Sequence, residues 1–273
     1  MPKSMKLNLL DYKKNIYSQN GEDGIIKKIF EIVGVKNKIS CEFGAWDGIH
    51  LSNTRNLILN GWTSIMIEGD RKRFNELAKN YKNNKKVYCV KRYVDTKENT
   101  LSKILAGLPI ADLEEKIDLL SIDIDGLDYE IFRIFDILPR VICVEVNAGH
   151  YPNSNVEIKK NIAKNNIGQP LSYFSKIAKE KDYSLVCYSG NAFYIKNDIS
   201  IKKNIKGLTD LEAYISFIDH LDKKAKEWLL LVNKDLVSPY FKFNNPLLSA
   251  EKLEIGVIRK IYLYLQNFLG KYI

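Results

Sequence analysis

The chain has 273 residues, 45% hydrophobic and 11% aromatic, enough to bury a sizeable core in one large domain or in one domain with an appendage. Charged residues make up 27%, near the average for soluble proteins, so no disordered or fibrous class is needed. The net charge of +9 comes mostly from lysine, in a composition also rich in asparagine and isoleucine. It reads as a compositional bias spread along the chain, with attraction of an anionic ligand as the alternative. No Arg/Gly or aromatic RNA-binding motif is present, so no nucleic-acid partner is expected.

Residues 1–20 are polar and basic and lack the apolar core of a signal peptide. Gly21-Glu22-Asp23-Gly24 opens a helix, Ile25–Val33, whose Ile25, Ile26, Ile29, Phe30 and Val33 share one face. Strands and helices then alternate. Strands are expected at Ile39–Phe43, Ser64–Glu68, Val87–Tyr93, Asp118–Asp123 and Val141–Val146. Between and after them, helices are expected at Asn53–Leu59, Arg71–Tyr81, Leu101–Leu105, Tyr129–Phe135 and Leu171–Lys181. Ser184–Tyr188 and Ala192–Lys196 form a hairpin around Ser189-Gly190-Asn191. This pattern predicts an α/β fold: a doubly wound, mostly parallel seven-stranded sheet with one antiparallel strand, over residues 1–207. Residues 208–273 read as a C-terminal helical extension, with helical stretches near Leu208–Asn233 and Ala250–Tyr272. The apolar face of the last stretch suits packing on the core or on a partner, so a homodimer is plausible; a basic membrane-surface helix is the minority alternative. No run of about 18 apolar residues is present, so no transmembrane segment is expected.

Cys41, Cys89, Cys143 and Cys187 each sit in an apolar, strand-like run, and none forms a C-x-x-C pair. A zinc site is therefore not expected, and buried free thiols suit a cytoplasmic location.

Chemistry is expected where the strands end. Glu42-Phe43-Gly44-Ala45-Trp46-Asp47-Gly48 closes the first strand. Gly44 permits a sharp turn and close approach of a ligand. A dinucleotide cradle needs G-x-G-x-x-G, but Trp46 stands where the middle glycine belongs, and Glu42 and Asp47 would repel a pyrophosphate. A cationic sulfonium fits this loop better. Glu68-Gly69 ends the second strand, 24 residues after Gly44, where an acid accepts hydrogen bonds from ribose hydroxyls.

Four segments together resemble the FkbM-type class I S-adenosyl-L-methionine-dependent methyltransferases: Tyr17–Gly24, Glu42–Gly48, Asn53–Leu57 and Gly61–Gly69. The resemblance covers roughly residues 15–200 and is specific for fold and cofactor rather than for the acceptor. It implies that Gly44 and the turn through Asp47 and Gly48 pass beside the methionine part of the cofactor. It implies that Glu68 and Gly69 meet the ribose, that Asp95 lies near the adenine amino group, and that Ser18, Gln19 and Asn20 fold over the cofactor. For Gln19 and Asn20 a turn and helix cap is the alternative.

Two further clusters follow the fourth and fifth strands: Ser121–Asp128, and Glu145-Val146-Asn147-Ala148-Gly149-His150. Asp123 and Asp125 share a side if the strand continues that far, as do Glu145 and Asn147. Asp123 is expected to meet the cofactor and, with Glu145 and Asn147, to hold Mg²⁺ or Mn²⁺, or else to position substrate without a metal. His150 is the expected general base, with Asp123 or Asp125 in its place, or else a surface-loop histidine. Asn53, Asn147 and Tyr151 are expected against the substrate. His50 is placed near the site, and His220 in a structural or exposed position.

The expected function is O-methylation of a sugar hydroxyl, with a nucleotide-activated sugar or heptose of bacterial capsule or surface polysaccharide synthesis as the small-molecule substrate. Methylation of a capsular phosphoramidate is a second possibility. The competing classes are an NAD-dependent sugar dehydrogenase, which the 44–48 loop disfavours, and a non-catalytic binding module of the same fold.

Overall fold

The computed structural model describes residues 7–95, 97–124, 127–146, 152 and 169–226. After a 3-10 turn at Leu9–Tyr12, the order is α1 Glu22–Val33, β1 Ile39–Phe43, α2 Arg55–Leu59, β2 Thr63–Glu68, α3 Arg71–Tyr81 and β3 Val87–Lys91. Next come α4 Leu101–Ala106, α5 Leu113–Lys116, β4 Leu119–Ile122, α6 Asp128–Ile134, β5 Val141–Glu145 and α7 Leu171–Glu180. The described chain closes with β6 Tyr183–Tyr188, β7 Asn191–Lys196, α8 Asn197–Lys202 and α9 Asp210–Asp219.

The seven strands form one sheet in the order β3-β2-β1-β4-β5-β7-β6. The pairs among β1–β5 are parallel; β7 runs antiparallel to both β5 and β6. This is the expected doubly wound sheet with one antiparallel strand. Strands β1, β4 and most of β5 are buried at every position because helices cover both faces. Chain order reverses between β1 and β4, so the crevice beyond their carboxyl ends is where such a sheet takes a ligand.

Element ends depart from the sequence pattern where side chains outbid the backbone ladder. Helix α1 begins at Glu22, behind a left-handed Gly21. Helix α2 starts at Arg55 rather than Asn53, because the Asn53 N–H donates to Glu42 and the Ser52 hydroxyl accepts the Thr54 and Arg55 N–H groups. Strand β4 stops at Ile122, one residue before Asp123, and β3 stops at Lys91. The short helices α5 and α8 have too few residues to show a period.

Opposite the crevice, Asp118 is fully buried and pins the lower end of the sheet. It accepts the N–H groups of Lys36, Asn37 and Lys38 and an Arg140 Nη1 hydrogen bond of 2.7 Å, and Arg140 also donates to the carbonyls of Val33 and Gly34. Helix α9 opens with a reciprocal Thr209–Glu212 cap and buries Ala213, Tyr214, Phe217 and Ile218 in the same core as the sheet. Helix α9, within the expected extension, thus packs on the main core; the stretches beyond 226 lie outside the described residues. Among the described residues, no helix is long and apolar enough to cross a membrane. Cys41, Cys143 and Cys187 are buried and Cys89 half-buried, all as free thiols whose pKa burial pushes up.

Candidate functional site

A cleft of about 410 Å³ opens at the carboxyl ends of β1, β2, β3 and β4, within the size range of small-molecule sites. Gly44 sets its floor. The φ of Gly44 is +76°, and a Cβ there would stand 1.4 Å from the Asp123 carbonyl oxygen, so no side chain fits. This contact lets β1 and β4 converge, and the Asp123 N–H donates to the Phe43 carbonyl.

The loop after β1 has spent most of its donors. The Ala45 N–H donates to Ile67 O, Trp46 N–H to Glu68 Oε2 at 2.8 Å, and Gly48 N–H to Ala45 O. The Ile49 and His50 N–H groups both donate to Asp47 Oδ1. A pyrophosphate cradle needs such N–H groups free and pointing outward. Trp46 is held at a left-handed φ of +50°, with the Arg73 guanidinium 4.4 Å above its ring and His50 edge-on to it. Strained non-glycine backbone of this kind gathers at ligand clamps.

Two buried carboxylates flank the loop. Glu42 accepts from the Ser52 and Thr54 hydroxyls and the Asn53 N–H, which folds the loop back before α2. Burial raises the pKa of Glu42, partly offset by those hydrogen bonds. Thus the start of α2 already faces an internal carboxylate. Glu68 accepts from Trp46 N and Asp70 N, one on each oxygen, and lines the cleft beside Gly69, against which the Tyr93 ring lies.

At the other end, Asp123, Asp128 and Glu145 bring carboxylate oxygens within 4.8 Å of one another. Asp128 is the acid the sequence reading left without a role. It is the first residue of α6, and its Oδ1 accepts the Ile124 N–H, so the strand–turn–helix return brings it back to Asp123. The signal was its place in the same acidic run. Three such oxygens suit a hard cation.

The N-terminal segment reaches the cleft through Gln19. Asp23 Oδ2 gathers the N–H groups of Ile16, Tyr17 and Ser18 and the Ser18 hydroxyl. Glu22 accepts the Asn20 N–H and, on its other oxygen, the Asn191 side chain at the start of β7. Segment and hairpin therefore meet above the sheet.

Of the expected site residues, the cleft lining brings together Gln19, Glu42, Gly44, Glu68, Gly69, Asp123 and Glu145, along with His50. Asn20, Asp47, Gly48, Asn53 and Asp95 lie outside that lining. Asn53 is buried, its amide donating to Ser121 Oγ. Gly48 packs beneath Tyr81, whose hydroxyl donates to its carbonyl. Asp95 caps the 97–99 turn, and the Lys97 N–H and the Asn99 side chain pull its pKa down to about 2. Asp125, Asn147, His150 and Tyr151 lie outside the described residues. His220 bonds Ser216 O and Asp11, in a structural position. Arg73, Arg92 and Tyr93, which also line the cleft, carried no motif in the sequence.

No protein-family model matches the sequence, and no curated protein matches it either. Among solved structures, a putative caffeoyl-CoA O-methyltransferase from Staphylococcus aureus matches at TM-score 0.43 and 15% identity, over 68% of this chain and 87% of that one. The CcbJ methyltransferase from Streptomyces caelestis matches at 0.41 and 10%, over 69% and 96%. A SAM-dependent methyltransferase from Aquifex aeolicus matches at 0.38 and 10%, over 62% and 86%.

Proposed function

We propose that the chain is an S-adenosylmethionine-dependent O-methyltransferase acting on a sugar hydroxyl, with a nucleotide-activated sugar as the first acceptor to test. The observation that carries this reading is the loop after β1: most of its N–H groups are spent on internal acceptors, while Glu42, Glu68 and Asp123 line the cleft. That chemistry disfavours a pyrophosphate and favours a ligand with a positive centre and ribose hydroxyls.

Bound there, S-adenosylmethionine would supply an electrophilic methyl group on a sulfonium. Glu68 keeps acceptor capacity on both oxygens for ribose hydroxyls. Gln19 covers the cleft from the N-terminal side, and the Tyr93 ring walls its β3 side. A sugar hydroxyl needs a base before it attacks; without a metal, Asp123 or Glu145 takes its proton at the far end of the cleft, and with a metal bound the ion takes over that activation. Mg²⁺ or Mn²⁺ held by Asp123, Asp128 and Glu145 would bind and acidify that hydroxyl. His150, Asp125, Asn147 and Tyr151 belong to this reading through their sequence positions alone.

The test is calorimetry of the whole chain with S-adenosylhomocysteine and, separately, NADH, followed by a nucleotide-sugar screen with and without Mg²⁺ or Mn²⁺. Binding of S-adenosylhomocysteine alone is expected; binding of NADH alone would turn the reading to a dehydrogenase. With an acceptor in hand, Glu145→Gln should lower turnover by about a hundredfold or more, with S-adenosylhomocysteine affinity little changed. Turnover near the parent's would remove Glu145 from the chemistry.

A further inference from the structure

The positive charge is not spread along the chain as its composition suggests. Between Arg71 and Lys103 the sequence holds eleven lysines and arginines against three acids, Glu76, Asp95 and Glu98, a net of +8. The other 240 residues hold 31 basic and 30 acidic side chains, a net of +1.

The fold gathers this segment at one edge of the sheet: α3, the edge strand β3, and the chain into α4. Arg71, Lys72 and Arg73 open α3, and Lys79 and Lys82 lie at its end. Lys85 and Lys86 lead into β3; Lys91 and Arg92 leave it. Lys97 and Lys103 follow on the turn and on α4. All eleven are exposed. The ion pairs among the described residues join Lys27 and Lys28 to Glu31, Lys116 to Asp112, Arg140 to Asp118 and His220 to Asp11, and none touches this edge. Close ion pairing among the described residues therefore does not neutralise this field, although Asp70 at the start of α3 lies near Lys72 and Arg73.

We propose that the β3 edge is a docking surface for the anionic face of a lipid bilayer. The charges are mostly lysine, eight of eleven, and lie at both ends of α3, which is about 16 Å long, and around the strand edge beside it. A planar anionic surface needs only such a broad field of one sign. A nucleic-acid strand calls instead for a basic groove with stacking aromatics. A groove on this edge, between β3 and α4, is bordered by three of the eleven, Lys91, Arg92 and Lys103. Of the four aromatics in the segment, Tyr93 alone is exposed, at 69%. Its ring suits the headgroup level of a bilayer. A second copy of the chain is a poor partner, because the rest of the sequence has no acidic excess to offer. Arg73, Arg92 and Tyr93 also border the cleft, so the edge adjoins it, but docking does not require the methyl-transfer reading.

The test is co-sedimentation of the full chain with phosphatidylcholine vesicles, with and without phosphatidylglycerol, across a potassium chloride series. Binding should require phosphatidylglycerol and fall steeply with salt. Each lysine near the surface is worth about fivefold, so Lys72→Gln, Lys79→Gln, Lys82→Gln and Lys91→Gln combined should weaken binding by about a hundredfold or more. Lys176→Gln, Lys202→Gln, Lys203→Gln and Lys206→Gln, equal in charge lost but away from this edge, should leave it nearly intact. Equal loss in both variants, binding to phosphatidylcholine alone, or no binding to either vesicle would overturn the proposal. Displacement from vesicles by RNA at matched phosphate would reassign the edge to nucleic acid. Should the first variant fail to fold, the salt series on the parent still decides.

Discussion

Glu42 shows how one side chain shapes both the loop and its response to pH. Its carboxylate takes three donors from Ser52–Thr54, and burial raises its folded-state pKa. A raised acid binds its proton more tightly in the folded chain than in the unfolded one. Its contribution to stability is therefore full below the ordinary glutamate pKa of about 4.3 and is lost as pH rises through the raised value. Glu42→Gln has no proton to lose. The stability of the parent relative to this variant should thus decline between acidic and neutral pH, as read from urea midpoints at a series of pH values. A constant or rising difference would mean that Glu42 is not the buried acid described here. Gly44 and Glu68 were legible in the sequence because strand ends and acid spacing are local signals. Asp128 was not, since its part depends on a helix start folding back on a strand end.

At the scale of elements, the N-terminal segment stands out because it has almost no regular structure and yet is held firmly. Asp23 replaces a backbone ladder by gathering four donors on one oxygen, and Gln19 is thereby presented to the cleft. Asp23→Ala leaves those donors unmet and frees the segment. It should weaken S-adenosylhomocysteine binding about tenfold or more, the loss of one to two net charge-assisted hydrogen bonds, while far-ultraviolet circular dichroism stays close to the parent's. Unchanged affinity would mean that the segment does not cover the ligand. The strands were legible because five apolar runs recur with turns between them, four of them buried and the other, β3, at the sheet edge. The start of α2 and the end of β4 were not, because Ser52, Glu42 and the Gly44–Asp123 contact decide them, and none of these leaves a period in the sequence.

At the scale of the molecule, the sheet is pinned below and open above. Asp118 and Arg140 join the end of α1, the turn into β1, and strands β4 and β5. Arg140→Met would leave a fully buried carboxylate without its cation and should cost about 3 kcal/mol or more in unfolding free energy, seen as a lower urea midpoint. A change under about 1 kcal/mol would show that the pair behaves like a surface contact. The upper end is held differently. Glu22, near the start of the chain, bonds Asn191, 169 residues later. During synthesis, β1 to β5 leave the ribosome long before that partner exists. The covering of the cleft is therefore completed only after the final hairpin has been made, and a nascent chain halted before residue 191 would carry a sheet with an unroofed cleft.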